Sequence, residues 1–289
     1  MKNPICSRGI CSNRSDRNSD QLREIKITCN AFGYADSSVL LQMGNTKVLC
    51  AVTLQPGVPH FLKISGKNES GKFYRKVKSG WLTAEYAMLP SATAVRTTRE
   101  ISSMRRNGRS VEISRLIGRS LRTIVDLSAI GERTIIIDCD VLQADGGTRT
   151  ACITGANIAL KLAVDKWLNA NIIKETILTD EVAAVSVGVL KDDVLLDLDF
   201  SEDSKADADF NFVLTKSGKI VEMQGGSEGA TVAWDQFEEA KRLAISGIKN
   251  LFAIGDQIIQ KKSLASESKI SDNKKVPLFS LQNRKNITV

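Results

Sequence analysis

Hydrophobic positions alternate with polar ones over short runs in both halves of the chain, and this pattern predicts two groups of β-strands. Gly44 and Asn45 separate two of the runs and predict a hairpin turn. Pro90 ends another run, and Gly225 with Gly226 is expected to end the last. The predicted strands are 24–30, 38–43, 47–54, 81–88, 133–142, 182–190, 194–200, 209–214 and 220–224.

Apolar residues at helical spacing predict three helices, at 110–127, 150–169 and 234–259. The first carries an apolar row with a period close to 3.6 residues, formed by Val111, Ile113, Leu116, Ile117, Leu121, Ile124 and Val125. Groups of strands followed by helices favour an α+β fold in which mixed sheets pack against helices.

Three stretches lack these patterns. Residues 1–20 are polar and predict a disordered arm, and residues 261–289, rich in Lys, Ser and Asn, predict a disordered tail. Residues 55–80 predict a loop, in which 66–73 nearly matches a nucleotide-binding P-loop. The match is rejected because Phe73 replaces the hydroxyl residue that would hold a metal ion. The stretch is better interpreted as a mobile basic insertion, able to touch a phosphate chain.

A glycine turn, residues 145–149, connects the strand predicted at 133–142 to the helix predicted at 150–169. Gly146 and Gly147 allow a tight turn, and the N–H groups at the start of a helix are free to bind an anion. Thr148 and Arg149 add a hydroxyl and a guanidinium group. The alternative is a plain strand–turn–helix connection with a surface arginine.

Six carboxylates crowd an acidic segment, residues 197–209: Asp197, Asp199, Glu202, Asp203, Asp207 and Asp209. The simpler interpretation is an exposed acidic loop. Alternatively, several carboxylates hold a hydrated Mg²⁺ beside a phosphate, or raise the pKa of one member for acid catalysis. An EF-hand is excluded because no glycine and no closing glutamate stand at the required positions. Asp203 and Asp209 flank a predicted turn and are expected to point into one cleft.

The charge balance is basic, with a net charge of +7. Five arginines crowd the stretch before the first predicted helix, namely Arg96, Arg99, Arg105, Arg106 and Arg109. A charged stripe of Glu112, Arg115, Arg119 and Arg122 continues along that helix. A solvated face and a surface that binds a polyanion explain this arrangement equally well.

The chain has six cysteines and one histidine, His60. No two cysteines form a CxxC pair, so a zinc site is not expected, and free thiols buried in a reducing cytoplasm are the better interpretation. No apolar run is long enough to span a membrane, and the N-terminus does not resemble a secretory signal.

The stretch from Cys139 to Thr150, CDVLQADGGTRT, followed by Ile153-Thr154-Gly155-Ala156, resembles the signature of the ribonuclease PH family. Further matches, spread over about residues 20–260, are GNTKV from Gly44, GWLTAEY from Gly80, MLP from Met88, RTTRE from Arg96, RLIGR from Arg115, GERT from Gly131, EDS from Glu202 and VEMQ from Val221. Ser91 stands where many family members carry an arginine.

The resemblance implies one catalytic domain over 21–260, built from two-layer β-α-β units with a ribosomal-protein-like second-domain fold, in which 63–79 is a longer and more basic loop than usual. It assigns phosphate binding to Arg109, Gly147, Thr148 and Arg149. Catalysis and metal binding fall to Asp203 and Asp209, with Mg²⁺ as the metal. It assigns contact with the RNA backbone to Arg96 and Arg99, and the neighbouring Arg105 and Arg106 are added to that set from the arginine run.

The resemblance also implies a phosphorolytic 3′→5′ exoribonuclease, related to polynucleotide phosphorylase and exosome ring subunits. Such an enzyme uses inorganic phosphate to remove 3′-terminal nucleotides of tRNA precursors, releases nucleoside diphosphates, and assembles as a hexamer, a trimer of dimers, in the cytoplasm. The alternatives are a catalytically inert RNA-binding ring subunit of an exosome-like assembly, a hydrolytic nuclease, and a nucleic-acid-binding module without chemistry.

Overall fold

A computed structural model describes residue 14 and residues 17–67, 73–99 and 107–270. The strands are β1 Ile25–Cys29, β2 Ser37–Met43, β3 Thr46–Pro56, β4 Lys63–Lys67, β5 Phe73–Val77, β6 Trp81–Met88, β7 Arg133–Gln143, β8 Val182–Leu190, β9 Asp193–Leu196, β10 Ala208–Thr215 and β11 Ile220–Ser227. The α-helices are α1 Gly108–Arg122, α2 Thr148–Asn169, α3 Phe200–Asp203 and α4 Trp234–Ile270.

Two mixed or antiparallel sheets carry most of the strands. The first has the order β1-β2-β3-β7-β6, in which only β6 runs parallel to its neighbour β7. The second is antiparallel and has the order β11-β10-β8-β9. Met43 pairs with Thr46 across the turn formed by Gly44 and Asn45, which confirms the predicted hairpin.

Helix α2 lies between the two sheets and packs against β2 and β3 on one side and β8 on the other. Its buried residues surround the helix axis because both sides face a sheet. Gly155 is required at the closest approach, since a Cβ there would lie 2.9 Å from the Cys50 Sγ. Helix α1 packs on β6, and α4 packs on β8 and β9, so the predicted α+β arrangement of sheets against helices is confirmed.

Three predicted boundaries were wrong for local reasons. The stretch predicted as a loop at 55–80 contains a short 3₁₀ helix, His60–Leu62, and the separate hairpin β4–β5. Strand β9 ends at Leu196, because Asp197 adopts a positive φ of 56°. Gly225 and Gly226 lie inside β11 instead of ending it; a Cβ on Gly225 would lie 2.2 Å from the Phe210 ring, so glycine makes room for that ring.

The predicted disordered ends also need correction. Arg14 is buried, and Arg17 also contacts the body of the protein, although both belong to the arm predicted at 1–20. Helix α4 continues to Ile270, through the first ten residues of the predicted tail. The remainder of the arm before Arg14 and residues 271–289 lie outside the described residues. Within the described part of the chain, no helix combines the length and apolar character needed to cross a bilayer.

Candidate active site

The glycine turn lies between the end of β7 and the start of α2. Gly146 and Gly147 have φ values of 73° and 62°, and Gly147 is the N-cap of α2. The first N–H groups of α2 therefore have no partner within the helix and are available to an anion. A Cβ on Gly146 would lie 2.5 Å from the Leu198 carbonyl oxygen, so the turn packs directly against the acidic segment.

The hydroxyl of Thr148 lies 3.0 Å from the hydroxyl of Tyr86, which reaches it from strand β6. Burial raises the pKa of Tyr86 to about 12, although its bond to Thr148 and the charges of Arg109 and Arg149 lower it. Tyr86 is therefore a neutral phenol at physiological pH, able to hold the Thr148 hydroxyl in one orientation.

Two candidate phosphate-binding arginines lie in the first turns of different helices. Arg149, in the first turn of α2, donates from Nη1 to the Gln224 Oε1 at 3.2 Å and lies 3.7 Å from a carboxylate oxygen of Glu112. Arg109 lies in the first turn of α1, where its backbone N–H donates to the Asn107 side chain. The charges of both arginines act on Tyr86 and on Asp203, so both arginines lie within electrostatic range of these two side chains.

Asp203 and Asp209 lie close enough for the charge of Asp209 to act on Asp203. Asp199 and Glu202 form a capping box at the start of α3, which ends at Asp203. Asp209 is the second residue of β10. Asp203 remains exposed to solvent, but partial burial, followed by the negative charge of Asp209, raises its pKa, while Arg109 lowers it.

The two carboxylates suit a magnesium ion that also takes water and substrate as ligands, rather than a metal ligated by protein side chains alone. Among the described residues, no group of three or more His, Cys, Asp or Glu side chains could hold a metal. Mg²⁺ usually takes one or two carboxylates and completes its shell with water and substrate phosphate. Asp203 and Asp209 could supply the one or two carboxylates that such an ion takes.

The predicted RNA-binding arginines are only partly described. Arg96 and Arg99 are exposed in the segment between β6 and α1. Arg105 and Arg106 lie outside the described residues. An exposed position suits contact with a flexible phosphate chain but does not identify one.

The charged stripe on α1 is partly explained by packing. Arg119 forms a bidentate pair with Glu222 of β11, at 2.5 and 3.1 Å. Arg122 lies 4.8 Å above the Trp81 ring and donates to the Leu82 carbonyl. These two arginines therefore have structural partners, in addition to any contact with a polyanion.

Three of the cysteines are free thiols that lie together in the core. Cys50, Cys139 and Cys152 are buried and form no disulfide. Burial raises the pKa of Cys152 well above its ordinary value. These three thiols lie where α2 meets the first sheet, and their burial agrees with the prediction of buried thiols.

The sequence did not identify Tyr86, Gln224 or Glu112 as site residues. Tyr86 carried one usable signal, because it occupies the buried face of β6 with Leu82 and Ala84, and a buried tyrosine hydroxyl usually has a partner. Gln224 and Glu112 join the site only through contacts with residues distant in sequence.

Two consecutive family models match the chain. The 3′ exoribonuclease family, domain 1, matches residues 21–164, and domain 2 of the same family matches residues 180–247. Ribonuclease PH of Neisseria gonorrhoeae (strain NCCP11945) is 50% identical over 238 residues, covering 82% of this chain and 93% of that protein. Ribonuclease PH of Neisseria meningitidis serogroup C has the same identity and coverage.

Solved structures show a similar fold. Rrp46 of rice (Oryza sativa) superimposes with a TM-score of 0.64 at 18% identity, covering 83% of this chain and 97% of that chain. The Archaeoglobus fulgidus exosome with RNA bound to its active site gives a TM-score of 0.66 at 23% identity, covering 82% and 90%. At these identities the likeness concerns the fold.

Proposed function

The chain belongs to the ribonuclease PH family of 3′ exoribonucleases and is a phosphate-dependent 3′→5′ exoribonuclease, and on this premise we propose which residues perform the reaction. The observation that carries the proposal is the packing of the glycine turn directly against the acidic segment, with the charges of Arg109 and Arg149 acting on Asp203. Inorganic phosphate binds to Arg109, Arg149, the Thr148 hydroxyl and the Gly147 N–H.

A phosphate oxygen attacks the phosphorus of the last phosphodiester of the RNA. The bond from that phosphorus to the 3′ oxygen of the penultimate nucleotide breaks. The terminal nucleotide leaves as a nucleoside diphosphate, whose second phosphate is the attacking one. The shortened RNA keeps the 3′ oxygen, which takes a proton from one member of the Asp203–Asp209 pair. The protein contributes mainly by positioning the reactants and by neutralising charge.

Asp203 and Asp209 would also hold Mg²⁺, which offsets the charge of two phosphates that approach each other. The positive charges of Arg109 and Arg149, which act on Asp203, would contribute in the same direction. Arg96 and Arg99, with Arg105 and Arg106, are proposed to hold the RNA backbone upstream of the 3′ end.

We propose tRNA precursors as the substrates and a homohexamer, a trimer of dimers, as the assembly. Family membership supports both, and the fold shared with exosome subunits is consistent with a ring. The buried free thiols support a cytoplasmic location. The inert ring subunit is disfavoured, because the chain retains Arg109, Thr148, Arg149, Asp203 and Asp209.

Omission of phosphate is expected to stop the shortening of a 3′-extended tRNA. With phosphate present, thin-layer chromatography should show nucleoside diphosphates, because the attacking oxygen belongs to phosphate. Nucleoside monophosphates released without phosphate would instead identify a hydrolytic nuclease. An RNA of unchanged length under both conditions would leave only a binding module.

Tyr86→Phe is expected to raise the KM for phosphate about 2- to 10-fold, the effect of one ordinary hydrogen bond. A bound phosphate needs donors, so Thr148 donates to it and the neutral Tyr86 donates to Thr148. Steady-state kinetics with varied phosphate at saturating RNA would measure the change. Tyr34→Phe, whose side chain is exposed between β1 and β2, is the matched control, and an unchanged phosphate KM in Tyr86→Phe would contradict the role.

A further inference from the structure

The guanidinium group of Arg23 bridges the glycine turn and the acidic segment. Arg23 precedes β1 and is buried. On one side its Nη1 donates to the Asp145 carbonyl at 2.5 Å, and its Nη2 lies 3.4 Å from the Gly146 carbonyl. On the other side Nη2 and Nε donate to the Asp197 carboxylate at 2.8 and 3.1 Å. One side chain therefore contacts both halves of the site.

Asp197 is itself tightly held. It is fully buried, has a φ of 56°, and its carboxylate also accepts from the Arg23 backbone N–H at 2.8 Å. Its own N–H donates to the Ser186 carbonyl of β8 at 2.7 Å. A non-glycine residue at positive φ is strained and persists only when its surroundings fix it. The backbone that leads into α3, and so to Asp203, therefore starts from a fixed point.

The neighbouring contacts strengthen the same connection. Glu202, which precedes Asp203, accepts from Arg14 Nε at 2.6 Å and from Arg17 Nη2 at 3.0 Å. The Phe200 N–H donates to the Asp145 side chain at 3.3 Å. A Cβ on Gly147 would lie 3.1 Å from Arg23 Nη2, so the glycine leaves room for the guanidinium group.

Stability alone does not explain why Arg23 and Asp197 form a buried ion pair. Buried pairs can often be replaced by apolar residues without loss of stability, so their presence alone does not explain their retention. Here the turn extends from β7 of the first sheet, and the acidic segment follows β9 of the second. Arg23 therefore contacts both the turn proposed to receive phosphate and the segment that carries Asp203.

We propose that Arg23, held by Asp197, is a positioning residue for phosphorolysis, which sets the register between the phosphate-binding turn and the Asp203 carboxylate. The inference rests on the proposed roles of Thr148, Arg149 and Asp203. Misplacement of reacting groups by about 1 Å can cost about 10²-fold in rate. Loss of the connection therefore lowers kcat, whereas RNA contacts made by exposed arginines remain.

Arg23→Lys is the first test, because lysine keeps the positive charge but lacks the planar fork that serves Asp197 and both carbonyls at once. We expect kcat per folded molecule to fall about 10- to 100-fold, with the KM for RNA unchanged. The folded fraction comes from circular dichroism. Arg133→Lys, at the opposite end of β7, where arginine donates to the Ile172 carbonyl, is the matched control and keeps its kcat.

A double variant tests the same role without leaving an unpaired charge that could cause misfolding. Arg23→Gln combined with Asp197→Asn removes both charges together, so no unpaired charge is left buried. The same loss of kcat is expected, because the glutamine amide cannot replace the fork. Wild-type kcat in a folded Arg23→Lys variant or in the folded double variant would overturn the inference about Arg23. Phosphate-dependent release of diphosphates by the same variants would leave the proposed function standing.

A double-mutant cycle tests whether Arg23 acts through Asp203. In an Asp203→Asn background, Arg23→Lys should add less than about twofold to the loss of kcat, because residues that act as a unit are not additive. Full multiplication of the two losses would show that Arg23 acts elsewhere. Full activity of Asp203→Asn alone would overturn the assignment of the carboxylate as well as the inference, and so separates the two failures.

Discussion

Replacement of Arg109 by alanine is expected to lower the rate of phosphate-dependent RNA shortening about 10²–10³-fold. The Arg109 side chain is exposed in the first turn of α1, and its charge acts on Tyr86 and Asp203. Its loss removes one of the two cations that are proposed to hold the incoming phosphate dianion. The contact between the Arg109 backbone N–H and Asn107 remains, so the start of α1 is preserved. Release of radiolabelled nucleoside diphosphate at varied phosphate concentration measures the effect.

Arg242→Ala is the control for Arg109→Ala. Arg242 pairs with Glu239 on the exposed face of α4, and exposed ion pairs contribute little to stability. This variant should release diphosphates at the wild-type rate, which shows that loss of an arbitrary arginine is harmless. Undiminished release by Arg109→Ala would remove Arg109 from the phosphate site.

Local sequence was sufficient to predict the glycine turn and the acidic segment. Gly146 and Gly147 adopt the positive φ values that glycine favours, and Thr148 begins α2 immediately after them. Asp203 and Asp209 lie only six positions apart, so their proximity follows from one short connection. In both cases the chemistry and the backbone geometry are encoded within a few residues.

Contacts between distant residues were beyond the reach of sequence patterns. The polar composition around Arg14 predicts disorder, yet its guanidinium group is buried against Glu202, 188 positions away. Arg23 shows the same limit, since its meaning depends on Asp197 and on the carbonyls of the glycine turn. Composition describes the average surroundings of a segment, whereas these side chains are ordered by individual carboxylates of the acidic segment.

The position of the site between two sheets explains why both kinds of information are needed. The first sheet contributes the glycine turn through β7, and the second contributes Asp209 through β10. Helix α2 packs against both sheets and carries Arg149 in its first turn. The relative placement of the two sheets therefore determines the distance between the glycine turn, where phosphate is proposed to bind, and the Asp203–Asp209 pair. No single motif encodes that distance.

Asp203→Asn and Asp209→Asn are each expected to lower metal-dependent turnover about 10²–10³-fold. Asparagine keeps the shape of the side chain but removes the charge proposed to hold Mg²⁺ and the proton proposed to reach the leaving oxygen. Turnover at varied Mg²⁺ and saturating phosphate measures both losses. Asp192→Asn, in the exposed turn between β8 and β9, is the matched control and should retain wild-type turnover.

Stability distinguishes a functional carboxylate from a structural one. The pKa of Asp203 is raised in the folded protein, so its favourable contribution is complete below the pKa of the unfolded chain and is lost as pH rises through the folded value. At neutral pH the ionised side chain therefore opposes folding slightly, and Asp203→Asn should leave Tm unchanged or slightly raised. A lower Tm would indicate that Asp203 stabilises the fold. Full activity of both asparagine variants would show that the acidic segment is only a solvated surface. A carboxylate that opposes folding slightly but is required for turnover has a chemical role instead.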